Sequence, residues 1–234
     1  MASTSEDPLS LGLDSLIDGE ADDDVDAVTP ADVLQQLTEA WQNEGAAPEL
    51  LPHRFDVVDS VLSQIEGMDE NLRMYGRNKS LKHDIHKMEL DRIIYLNNSY
   101  LRRRLDKIEN SAALLLEQDE RRRRDGLEPK MSSNEQRYAE KYTQLQEDSF
   151  KRCVLDQLPV SLQKLELARL APIANTDELV FAEALETCHG VSVPDPRDDG
   201  PGFEQIVVLE KESRTLIPYK SVQSFVYSGD MRLL

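Results

Sequence analysis

From Thr29 onward, apolar residues recur every three to four positions through long stretches, and near Ile173 this rhythm gives way to short β-branched clusters separated by Gly, Pro and Asp. The pattern predicts an α+β chain that is mainly α. An N-terminal multi-helix bundle over 29–165 is followed by a small β-rich domain with its linker over 166–234, and residues 1–28 form an acidic tail. Thr29 can cap the first helix, Pro30 suits its first position and Asp32 can return the capping-box bond. Val33, Leu34, Leu37 and Trp41 then share one face, and Gly45 and Pro48 end the helix. A second helix begins near His53, carries Val58, Val61, Leu62, Ile65, Met68 and Leu72 at helical spacing, and stops at Gly76.

The third helix, over about Asp84–Asn110, does not keep its apolar residues on one stripe. Leu90, Ile94, Leu101, Leu105 and Ile108 line one side, and Leu81, Ile85, Met88, Leu96 and Tyr100 roughly the opposite one. Ile93 to Leu96 point in four directions, so only Asp84, Asp91, Asn98, Arg102 and Glu109 make a polar strip. A helix apolar on nearly all sides is expected to lie either at the middle of a bundle or between its own bundle and another protein. Glu117 to Ser133 reads as an exposed loop. A capping signal at Ser132–Gln136 then opens a fourth helix with Tyr138, Tyr142, Leu145, Phe150, Val154 and Leu158, which Pro159 interrupts. LPVSLQKLELARLAP reads as a short helix leading to a linker closed by Pro172. Strands are expected at Leu179–Phe181, Gly190–Val193, Gln205–Leu209, Thr215–Tyr219, Phe225–Tyr227 and Met231–Leu234. The residues expected in the core or at a partner interface are Trp41, Leu90, Ile93, Ile94, Leu96, Tyr100, Leu101, Leu105, Tyr219, Phe225 and Tyr227.

Composition narrows the function more than the fold. Aromatics make up only 6% of the chain, a lean supply for a core and a reason to expect partners to complete it. The net charge is -18, and half of it lies in the first 29 residues, which hold nine acids and no Lys or Arg. Phosphate backbones repel such a chain at long range, so primary nucleic-acid binding is disfavoured and any DNA contact is indirect or weak. Within the tail, Leu9, Leu11, Leu13, Leu16 and Ile17 can form a short amphipathic element when a groove is offered, with Leu13, Leu16 and Ile17 as its docking residues; otherwise the tail is simply solvated and disordered. Neither an export signal nor a membrane span is expected.

No residue set points to catalysis. The ten glycines are scattered, and no phosphate-cradling loop, nucleophile elbow or CxxC pair occurs. His83, His86 and Glu89 are an incomplete metal set, read as solvated or locally paired, and Cys153 and Cys188 read as free thiols. Asp198 and Asp199 sit beside Gly and Pro as turn caps. Arg121, Arg122, Arg123 and Arg124 form the one basic cluster, able to touch phosphates or an acidic partner, or else only solvated and balanced by Glu117, Asp119, Glu120 and Asp125. The chain is therefore expected to bind no cofactor or metal and to be no enzyme. The alternative is a helical DNA-binding protein using Arg102–Arg104 and Arg121–Arg124.

The stretches TPADVLQQLTEAWQNEGAAPELLP, DIHKMELDRIIYLNNSYLRRRLDKIEN, LPVSLQKLEL and YKSVQSFVYSGDMRLL, spread from Thr29 to Leu234, resemble the Sld-five family of GINS-complex subunits. The resemblance implies a helical A domain and a small β-rich B domain packed with three sister subunits in a heterotetramer. With the MCM ring and the Cdc-forty-five protein, that tetramer forms the nuclear replicative helicase, in which the subunit is a non-catalytic scaffold. It also implies that the tail peptide around LDSLID, Leu13 to Asp18, docks on a trimeric fork adaptor. The four-arginine stretch and the tail's length depart from the family pattern.

Overall fold

A capping box opens the first helix: Thr29 Oγ1 accepts from the Asp32 amide while Asp32 accepts from the Thr29 amide, and Pro30 takes the first turn of α1, Pro30–Ala46. The computed structural model describes residues 29–75, 81–159, 161, 163–164, 166–194 and 204–234. The tail with Leu13, Leu16 and Ile17, the Gly76 stop, and the turn holding Asp198, Asp199, Gly200 and Gly202 lie outside the described residues. Gly45 does not break α1. A Cβ there would meet Arg103 Nη1 at 1.9 Å, so glycine at this position gives the Arg103 guanidinium room.

Three further long helices complete the bundle: α2, Phe55–Tyr75; α3, Leu81–Arg124; and α4, Ser133–Cys153. The expected end of the third helix at Asn110 is in fact a kink, at Ser111 (φ -140°, ψ 32°), beyond which α3 continues to Arg124. The arginine run therefore closes a helix and is not in a loop. Arg121 pairs with Glu117 and Arg124 with Glu120 one turn back, and the basic end complements the helix dipole. Gly126, at φ +73°, then stops it, with the Leu127 amide donating to Arg122 O at 2.8 Å. Ser132 and Glu135 form the capping box that starts α4. This helix ends at Cys153, short of Val154 and Leu158. Leu158 precedes a proline and is extended (φ -96°, ψ 155°), leaving only a 3₁₀ turn at Leu155–Gln157. The short helix expected in LPVSLQKLELARLAP reduces, among the described residues, to the single turn α5, Leu167–Leu170.

The C-terminal module has β1 (Leu179–Ala184), β2 (Cys188–Pro194), β3 (Glu204–Leu209), β4 (Arg214–Pro218), the helix α6 (Tyr219–Ser228) and β5 (Met231–Leu233). An antiparallel sheet of order β4-β1-β5 lies beside the β2-β3 hairpin. The strand expected at Phe225–Tyr227 is instead part of α6, as is Tyr219. Tyr219, Val222 and Val226 face inward at helical spacing, and Gly229 at φ +88° ends the helix.

Among the described residues, the side chains gather into three hydrophobic cores. Val33, Leu37, Val57, Val58, Val61, Ile93, Leu96 and Tyr100 pack α1, α2 and α3 together. Ile108, Ala112, Leu115, Met131 and Ala139 join α3 to α4, and the third core lies within the C-terminal module. No helix among the described residues is long and apolar enough to cross a membrane.

Candidate functional site

The loop between α1 and α2 touches more than one core. Leu50 enters the α3–α4 core, while its neighbour Leu51 and Ala47 enter the core of the C-terminal module. Adjacent side chains thus face opposite ways, so this short loop ties the two halves of the chain together.

Beneath it lies a buried charge cluster. Arg104 is fully buried, and all five of its N–H groups have acceptors. Nε donates to Glu135 Oε1 (2.7 Å), Nη1 to Glu44 Oε2 (3.0 Å) and Leu51 O (2.8 Å), and Nη2 to Glu135 Oε2 and Lys130 O (both 3.0 Å). Burial opposes its charge, but the hydrogen bonds and charges of Glu135 and Glu44 outweigh that and hold the guanidinium protonated far above its ordinary range. Lys107 Nζ donates to Glu44 Oε1, Glu44 O and Glu49 O at 2.7–2.8 Å; its burial nevertheless pushes the ammonium below its usual value, against the pull of Glu44. Asp119, also buried, accepts from the amides of Lys130 and Met131 and fixes the approach to α4.

Glu49 makes the corresponding joint to the C-terminal module. Its Oε1 accepts from the Tyr219 hydroxyl (2.9 Å), the Tyr227 hydroxyl (2.7 Å) and Gln223 Nε2, three side chains at i, i+4 and i+8 on one face of α6. Its Oε2 accepts from Lys130 Nζ at 2.7 Å. Burial raises the Glu49 pKa, but Lys130 and the two phenols more than cancel this and hold the carboxyl below the usual glutamate range. The same burial and the same carboxylate push the Tyr219 phenol far up. A second tie joins Asn43 Oδ1 to the Leu233 amide at 2.7 Å.

The residues expected in the core or at an interface divide three ways. Leu90, Ile93, Leu96, Tyr100 and Tyr219 are buried. Trp41, Ile94, Leu101, Leu105 and Phe225 are half-buried, with Trp41 donating to Ser99 Oγ at 2.9 Å beneath the Arg103 guanidinium, and Tyr227 is exposed apart from its link to Glu49. The expectation that the third helix is covered on nearly all sides fails for this chain alone. Leu81 (78%), Ile85 (57%), Met88 (71%) and Tyr95 (65%) are exposed, a stripe spaced by four, three and seven residues along the first half of α3. Among the described residues, the helices pack against the other face and leave this stripe uncovered.

The basic residues do not gather into one surface. Of Arg102–Arg104, Arg102 is exposed, Arg103 stacks on Trp41 and Arg104 is interior. Arg121 and Arg124 are paired to acids, Arg122 donates to Glu128 O, and Arg123 to Gln136 Oε1. Glu89 is engaged by Arg92, and among the described residues no group of three or more His, Cys, Asp or Glu is placed to hold a metal ion. The sequence reading missed the roles of Glu44, Glu49, Lys107, Asp119 and Glu135; the only local signal was the capping position of Glu135.

Two family models match the chain: a GINS complex protein helical bundle domain over residues 71–154, and the C-terminus of the DNA replication complex GINS protein SLD5 over residues 175–234. Curated relatives bearing the name DNA replication complex GINS protein SLD5 are similar along nearly the whole chain. The Homo sapiens protein is 38% identical over 96% of this chain and 97% of its own length. The Rattus norvegicus protein is 37% identical, covering 88% and 91%, and the Arabidopsis thaliana protein 31%, covering 86% and 90%.

Proposed function

The chain belongs to the SLD5 family of GINS proteins, subunits of a DNA replication complex, and we propose that it acts there as a non-catalytic scaffold. In this reading it joins three sister subunits in the GINS heterotetramer, which with the MCM ring and the Cdc-forty-five protein forms the replicative helicase in the nucleus. Residues 29–165 form the assembly domain, and those from 166 onward a module held on it.

One observation carries the reading: the apolar stripe Leu81, Ile85, Met88 and Tyr95 stands open on a helix whose other face is packed. Contiguous exposed apolar surface of this kind marks an interaction site. The joint at Glu49 supports it from another side, because a scaffold transmits position only when its two halves are fixed to each other. The sequence offers no catalytic set, and of the two arginine runs every member but the exposed Arg102 is engaged by an acid, a carbonyl oxygen or Trp41, so DNA contact through them is at most weak or indirect.

Co-expression with the three sister chains, followed by sizing and native mass measurement, tests the proposal. A one-to-one-to-one-to-one complex is expected, with self-association when the chain is expressed alone; a well-behaved monomer that ignores its sisters rejects it. In the same preparation, removal of residues 1–28 should leave the complex mass otherwise unchanged while weakening capture by a trimeric fork adaptor. Loss of the complex on that truncation shows the tail to be structural.

A further inference from the structure

The outward face of the β4-β1-β5 sheet carries two rows of different chemistry. Along β1, Val180, Ala182 and Ala184 point into the core, so Leu179, Phe181 and Glu183 point outward. Phe181 stands opposite Leu216 on β4, and the Leu234 amide donates to Phe181 O from the other side. Leu179 (57%), Phe181 (58%), Leu216 (54%) and Leu234 (46%) make this row an open apolar patch.

In the next row Glu183 lies between Arg214 (Nε–Oε1 3.0 Å) and Arg232 (Nε–Oε2 2.6 Å), whose hydrogen bonds hold its carboxyl below the usual range. Arg214 keeps 67% of its side chain exposed beyond that contact. Two guanidiniums against one carboxylate leave this row net positive, on a chain whose net charge is -18.

We propose that this face is the seat of the chain's own aliphatic segment Leu9–Ile17, with the acids around it lying along Arg214 and Arg232. The tail matches on both counts, with five aliphatic residues between 9 and 17, and nine acids without a Lys or Arg in the first 29. It also reaches. Leu233 is bonded to Asn43, and at 1.5 Å per helical residue Thr29 is only about 21 Å further along α1. The twelve residues from Ile17 to Thr29 extend to roughly 40 Å. A tethered segment of this length sees its seat at an effective concentration on the order of millimolar, so a modest patch suffices. The contact shields the sheet face and holds the tail until a tighter external partner takes either one. It goes beyond the scaffold reading and does not depend on it.

The test replaces Phe181, and separately Leu216, with photoreactive benzoylphenylalanine in the full chain, purified in whatever assembly it forms. Mixed nitrogen-14 and nitrogen-15 copies distinguish links within one copy from links between copies. Crosslinks to residues 9–17 of the same copy are expected, falling about tenfold when Leu13, Leu16 and Ile17 are all changed to Asp. Arg214→Gln should weaken them in the same direction. Crosslinks to another copy or to a sister subunit, tail crosslinks indifferent to the triple change, or no tail crosslink at all each overturn the proposal. Native mass of the same samples reports the scaffold reading independently.

Discussion

Arg104 shows how much one residue's meaning depends on the fold. In sequence it is the last of three consecutive arginines; in space it is an interior ion between two carboxylates, while Arg102 is exposed and Arg103 covers Trp41. One clue was available: Arg104 is four residues from both Tyr100 and Ile108, on the stripe that also buries Asn97 and Ala112. Its partners were not legible, because Glu44 and Glu135 lie far away on either side in the chain, and periodicity says nothing about pairing between helices. Removing one member of a buried ion cluster leaves the others uncompensated. Arg104→Ala should therefore destabilise the chain by about 3–5 kcal/mol. Urea unfolding of the dilute chain, followed by the fluorescence of its single tryptophan, Trp41, measures this. A loss below about 1 kcal/mol, as for a surface pair, refutes the account of the cluster. Arg104→Ala with Glu135→Gln should recover part of the loss, since the stranded Glu135 charge then goes too, while Glu44 keeps Lys107 as its partner.

At the scale of elements, legibility followed the local signals. The capping boxes at Thr29 and Ser132 lie within four residues and were readable, whereas the kink at Ser111 and the conversion of Phe225–Tyr227 from expected strand to helix depend on what lies opposite. α6 turns three polar side chains toward one carboxylate, and that carboxylate sits on a loop some 170 residues away in sequence. This joint should titrate. The Glu49 carboxyl is held below its ordinary value, so the folded chain binds fewer protons than the unfolded one between the two pKa values. The stabilisation is complete above the unfolded value of about 4.3 and is lost as pH falls through the lower folded one. Amide exchange of α6 and β5 should accordingly rise through that window in the native chain. In Glu49→Gln it should start higher, because the charge-assisted bonds to Lys130 and the two phenols are gone, and it should depend less on pH. An identical pH profile in the two chains places the acid sensitivity elsewhere, for instance at Glu183 or Asp32, whose carboxyls are also held low.

For the whole molecule, the sequence revealed that α3 is apolar on nearly all sides, but it could not apportion those residues between core and partner. The structure divides them by face: Leu90, Ile93, Leu96 and Tyr100 inward, and Leu81, Ile85, Met88 and Tyr95 outward. The outward group touches none of the three cores, so folding and assembly are separable on this helix. Ile85→Asp with Met88→Asp should change the stability of the dilute chain by no more than about 0.5 kcal/mol per site, as at other exposed positions. In a complex that covers this stripe, each buried and unpaired carboxylate costs on the order of 3 kcal/mol, enough to weaken assembly by two orders of magnitude or more. Ile93→Asp, on the opposite face of the same helix, should instead unfold the chain before assembly is at issue. Urea unfolding of each variant, together with its recovery in the co-expressed complex, distinguishes the two faces. If the outward pair assembles with undiminished yield, the stripe is not the assembly surface, whatever the family.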